Sequence, residues 1–235
     1  MLRRAILLSL VLSCLAHGIR GHTEENADVA AFMHAAMASL RTAASYGRTG
    51  NVGLAQLELD DARTAWAMLA ERSNAPSSAQ SFAALIATGH DRLKQADEAL
   101  AAGDGARAAA AIAALRQSLH AFRREAGVVE LSDCVFGLSP VMNELRNAAI
   151  RFAAGKADAG DVVQAGTALR ERLQRCSGLA TPDVASQAEF RRLIDGATAS
   201  AGEIGRAARE GDAGLVHRYE IELQSFVNLL DFRFG

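Results

Sequence analysis

The sequence predicts an all-α protein of four successive helical hairpins, eight helices arranged as two tandem up-down-up-down four-helix bundles. Three observations predict it. Half of the 235 residues are apolar, yet most of these are Ala and Leu, aromatics make up 5%, and there are three prolines. Runs such as Ala108 to Leu115 favour helix at nearly every position. Glycine-Asx pairs punctuate the chain at regular intervals, and between them apolar residues step alternately by three and four.

The pairs are Gly50-Asn51, Gly103-Asp104 and Gly211-Asp212, with Gly155 followed by Gly160-Asp161 in the matching place of the third hairpin. Glycine reaches the left-handed conformation that closes a helix, and Asn or Asp accepts hydrogen bonds from the free N–H groups that open the next. These turns recur about every 53 residues, the length of two helices and a connector.

Each helix then follows from its stripe. The first hairpin carries Val29, Met33, Ala36, Leu40 and Ala43, then Ala55, Leu59, Ala62, Trp66 and Leu69. The second carries Phe82, Ile86, Gly89, Leu93, Ala96 and Leu100, then Ala108, Ile112, Leu115, Leu119 and Phe122. In the third the seams are Leu138, Met142, Leu145, Ala149 and Phe152, then Val162, Gly166, Leu169, Leu173 and Cys176. In the fourth they are Phe190, Ile194, Ala197, Ala201 and Ile204, then Val216, Tyr219, Leu223, Phe226 and Leu230. Such seams suit helices packed nearly antiparallel. Breakers fill the connectors, at 74–78, at 127–140 and at 177–182. The larger boundary falls near 128–138, giving bundles over 24–127 and 135–235; one continuous eight-helix array is the alternative.

Residues 1–18 combine a basic start, a short apolar run and small residues, the pattern of a cleaved export signal and hence of a periplasmic protein. The run is too short to span a bilayer, and no transmembrane segment is expected. Lipidation of Cys14 is the one route to membrane attachment, and an ordinary signal with an incidental cysteine is preferred. The 25 basic and 27 acidic residues are interspersed, which argues against a nucleic-acid partner.

Cys134 and Cys176 lie at similar distances before and after the turn of the third hairpin, so folding brings them to its open end. A disulfide is expected in an oxidising compartment, with two buried thiols as the alternative. No Cys-x-x-Cys or nearby His supports a redox or metal pair.

Three segments carry a resemblance: Phe82-Ala-Ala-Leu-Ile86, Ala99-Leu-Ala-Ala-Gly-Asp104, and Leu115-Arg-Gln-Ser-Leu-His-Ala-Phe-Arg123. They resemble the second half of the periplasmic four-helix-bundle cytochromes, the c-prime type and its b-type relatives. In that family a Met or apolar residue on helix 1 faces the haem, and a His near the end of helix 4 ligates iron. The resemblance therefore implies Met33, Met37 and His120 as cofactor-binding positions. The Cys-x-x-Cys-His attachment site is absent, since Arg116 and Leu119 precede His120 where the cysteines would stand. From the stripe, His120 turns about 100° off the seam. Core methionines with exposed histidines are the preferred reading; noncovalent haem, or copper on Met33, Met37 and either His22 or His34, is the alternative.

Glu58 and Asp61 share a flank and read as a solvated face, and His90-Asp91 stands off its seam. No nucleophile elbow, phosphate loop or zinc-protease motif is present, and no enzyme is expected. The expected function is a non-enzymatic, haem-free binding or accessory module with a periplasmic protein as partner. A partner-binding scaffold presenting Trp66 and the 226–234 tail is a further alternative.

Overall fold

A computed structural model describes residues 28–73 and 80–235, and contains helices and no strand among them. Residues 1–18, where the sequence suggests an export signal, with Cys14, and likewise His22 and the 74–78 breakers, fall outside the described residues. The first four helices are α1 (28–48), α2 (Val52–Ser73), α3 (Gln80–Ala101) and α4 (Gly105–Glu125). Next come α5 (Leu131–Phe136), α6 (Leu138–Ala153) and α7 (Ala159–Leu179). The chain finishes with α8 (Pro182–Ala185), α9 (Ala188–Arg209) and α10 (Ala213–Phe234). Among the described residues eight long helices match the eight stripes; α5 is a short helix within the expected 127–140 connector, and α8 a short one that starts at Pro182, the last residue of the expected 177–182 connector. No described helix is long and apolar enough to cross a membrane.

The punctuating glycines end their helices by one shared device. Gly50, Gly103, Gly155 and Gly211 have φ between 66° and 77°, and Gly127 has the same left-handed backbone. At Gly103 the amide donates to the Leu100 carbonyl at 2.9 Å while the next amide, of Asp104, donates to Ala99 at 2.8 Å. The other four repeat this pair of bonds, the pattern that satisfies the free carbonyls of a helix end. Asp104 and Asp212 then cap the following helices by accepting from the amides of Arg107 and Leu215 at 2.9 and 2.8 Å. The third turn departs from expectation. Asp158, not Asp161, is the cap, accepting from the Asp161 amide at 3.2 Å, and Gly160 lies inside α7.

The helices gather into two compact units, one ending at Phe122 and the other beginning at Arg123. The division falls inside the last turn of α4, where Arg123, 4% exposed, pairs with Glu130 at 2.6 Å and Asp133 at 3.2 Å at the start of α5. In the first unit every seam residue is buried, apart from Val29 and Phe122 at its ends, which pack against the core half-buried. In the second unit α6, α7, α9 and α10 close a ring, each packed on the next and α10 back on α6. Its seam residues are buried likewise, with Phe152, Tyr219 and Phe226 half-buried against them. Burying one Leu or Ile contributes about 1.5–3 kcal/mol, whereas water and salt screen an exposed ion pair such as Arg206–Glu203 so that it contributes little. Seam burial therefore holds each unit together.

Cys134 on α5 and Cys176 on α7 are joined as a disulfide, with their Cα atoms 5.3 Å apart. The bond staples the short α5 to the long α7, closing a loop of sequence separation 42. By the chain-entropy account that contributes about 4 kcal/mol.

Candidate functional site

The residues singled out by the sequence in the first unit lie along the meeting of α1 and α4. A Cβ on Gly47 would lie 2.7 Å from the Gly105 carbonyl oxygen, and one on Gly105 would lie 2.6 Å from that of Gly47. Two backbones touch here because neither residue has a side chain, so the end of α1 meets the start of α4 and the helices run antiparallel. Met33 lies about 21 Å back along α1 from this contact, and His120 about 22 Å forward along α4. Helical periodicity puts Met33 and Leu40 on the Gly47 face of α1, with Met37 on its flank. The same periodicity puts Arg116 and His120 on the face of α4 that starts with Gly105 and Ala109. Met33 and His120 therefore stand at similar distances along their helices from the Gly47–Gly105 contact, and Met37 lies about 15 Å from it, more than one turn nearer.

All three are buried, at 6%, 4% and 8% exposure. For His120 this corrects the expectation that it turns away from the interior. The stripe through Leu115, Leu119 and Phe122 is only one edge of the covered surface of α4. A second edge runs through Gly105, Ala109, Arg116, His120 and Arg123, all buried. His34 is exposed, as expected, and Met33 and Met37 belong to the apolar core. Thioether and imidazole side chains are the soft donors that Cu(I) and haem iron accept. Among the described residues, no three His, Cys, Asp or Glu side chains group closely enough to hold a metal ion.

Trp66 is 1% exposed and so cannot serve as a contact for a partner. Its indole N–H donates to the Ile86 carbonyl at 3.3 Å, and the ring lies against Gly89. The C-terminal tail folds as the end of α10, where Phe234 stacks edge-on against Phe190 with centroids 5.1 Å apart.

Glu58 is half-buried, and its carboxyl is raised above the ordinary carboxylate range. Loss of water around it is the main cause and Asp61 adds to it, while Arg41 on α1 opposes. His90 and Asp91 are exposed. A buried carboxylate that the stripes did not reveal is Glu220 on α10, 7% exposed, which accepts from Arg146 Nε on α6 at 2.9 Å. The other arm of Arg146 donates to Gln224 at 2.7 Å. The available signal was its place beside the seam residues Tyr219 and Leu223. Comparison with known protein families, curated proteins and solved structures finds no match to the chain.

Proposed function

We propose that this chain is an exported, non-enzymatic helical-bundle protein acting as a haem-free binding or accessory module in the periplasm. The observation that carries the reading is the way the first bundle fills its own interior. Trp66, the largest side chain in the chain, is buried against Gly89 and hydrogen-bonded to Ile86, so that its indole fills the space between α2 and α3. Leu, Ile and Ala side chains, with Met33, Met37 and Phe82, make up the rest of that core. Binding is then a task for the outer helix faces and the grooves between them. The test is expression with haem supplied: the purified protein is expected to lack Soret absorbance, and a stoichiometric band would overturn the reading.

A second reading is favoured by the burial of His120 as well as of Met33 and Met37. It makes the α1–α4 interface a noncovalent haem or copper site for electron transfer or metal handling. Metal content measured on protein from its native compartment should fall when His120 is replaced by Ala, and unchanged content would remove this reading.

A further inference from the structure

The two bundles repeat each other residue by residue along their seams. Leu59, Ala62, Trp66 and Leu69 of α2 correspond to Gly166, Leu169, Leu173 and Cys176 of α7, and all eight are buried. Phe82, Ile86, Leu93 and Ala96 of α3 correspond in the same way to Phe190, Ile194, Ala201 and Ile204 of α9. In this register Arg63 matches Arg170, Asp60 matches Thr167, and Asp97 matches Gly205.

The first bundle satisfies its arginine internally: Arg63 Nη1 is 3.3 Å from the Asp97 carboxylate on α3 and 3.6 Å from that of Asp60. The second bundle keeps the arginine and lacks both carboxylates. A cleft lies at this place in both bundles, about 480 Å³ beside Arg63 and Asp97 in the first and about 310 Å³ between α7 and α9 in the second, and only the first has the Asp97 carboxylate in its lining. The two helices approach closely beside it, since a Cβ on Gly166 would lie 3.2 Å from the Ala201 carbonyl oxygen. Gly202 and Gly205 form its floor. Arg170 Nη1 lies 3.9 Å from where a Cβ on Gly202 would be, and Arg209 Nη1 lies 3.7 Å from the same point on Gly205. Those two points are about one helical turn apart on a single face.

Neither guanidinium has an ion pair or hydrogen bond among the described residues, whereas Arg206 nearby is engaged by Glu203 and Glu210. Thr167 and Gln174 add a hydroxyl and an amide to the lining, and Glu171 is its one carboxylate. Paired guanidiniums are the strongest protein donors for planar or tetrahedral oxyanions.

We propose that the α7–α9 cleft binds a small oxyanion, a carboxylate or a phosphate, between Arg170 and Arg209, supplying from solution the negative charge that Asp97 supplies to Arg63 in the first bundle. The proposal deepens the binding-module reading and rests on it. Its test is a titration of the purified chain with sodium phosphate and, separately, with disodium succinate. The amide resonances of Gly202 and Gly205 are followed at constant ionic strength against sodium chloride. Saturable shifts are expected for at least one anion, and which one responds identifies the oxyanion. Affinity should fall at least tenfold in Arg170→Gln. It should fall as far in Gly205→Asp, which copies the first bundle and whose Cβ makes only ordinary contacts, the nearest atoms lying 3.7 Å away. Shifts with both anions that track sodium chloride, or undiminished binding in folded Gly205→Asp, would overturn the proposal. The haem-absorbance test is read independently, so failure of this site and failure of the module reading are told apart.

Discussion

Trp66 occupies the volume that any side chain at Gly89 would need: a Cβ built there falls within the indole ring. One helix supplies the large residue and its neighbour supplies the absence, so the pair fixes how α2 lies on α3. Replacing Gly89 by Ala gains up to about 1 kcal/mol of helix propensity but forces the buried ring aside, and overpacking costs about 1–3 kcal/mol. The net effect expected is a loss of about 1–2 kcal/mol. Trp66 is the only tryptophan in the chain, so its fluorescence during urea unfolding reports on this bundle. A variant as stable as the parent, with unshifted emission, would count against the packing described.

Gly47 and Gly105 should behave as a coupled pair. The atom that blocks a new Cβ at either position is a backbone oxygen, which cannot swing away as a side chain could. Each single Ala substitution is expected to destabilise the first bundle by about 1–3 kcal/mol, by separating α1 from α4. Once one substitution has spread the helices, the second meets less resistance, so the double variant should lose less than the two single losses together. A double-mutant cycle by urea denaturation measures this directly; strict additivity would contradict the close approach.

The Cys134–Cys176 bond makes a prediction of chemistry and one of stability. Alkylation of the unfolded chain without reductant should leave both residues unlabelled in a peptide mass map, and labelling of either would refute the pairing. Reduction should then lower the stability of the second bundle by about 4 kcal/mol, the entropy of the loop it closes. Circular dichroism at increasing urea, with and without dithiothreitol, reads the difference.

Most of the architecture was legible because it depends on patterns that a sequence carries locally. A stripe stepping by three and four names the buried face of α9 as well as Phe190, Ile194 and Ile204 do in space, and glycine before an acidic residue names the turn at Gly103 and at Gly211. The cysteine pairing was legible too, since hairpin geometry alone brings Cys134 to Cys176. What escaped depends on neighbours distant in sequence. Arg116, His120 and Arg123 look like a polar flank of α4, and only the packed structure reveals that flank as covered. Asp158 was missed because Asp161 follows a glycine and imitates a cap. The cleft at Arg170 was hidden for a different reason: its meaning lies in the loss of a partner that Arg63 retains, and this emerges only when the two bundles are compared.

Glu58 gives a pH dependence whose sign can be worked out. Its carboxyl is raised in the folded chain, chiefly by loss of water and next by Asp61, so the folded state holds the proton more tightly than the unfolded state. Between the ordinary carboxylate value and the raised one the folded state binds more protons, and stability rises as pH falls through that window. At neutral pH the ionised group opposes folding, and that cost disappears in acid. Glu58→Gln, uncharged at every pH, should therefore melt higher than the parent at pH 7, with the advantage shrinking as the pH approaches the ordinary carboxylate range. Arg41 attracts the ionised form and limits the gain, so Arg41→Gln should enlarge the benefit of the Glu58→Gln change. Thermal melts of the parent, the two single variants and the double variant at neutral and acidic pH decide the matter; a parent more stable than Glu58→Gln at pH 7 would show that the Arg41 attraction outweighs the loss of water.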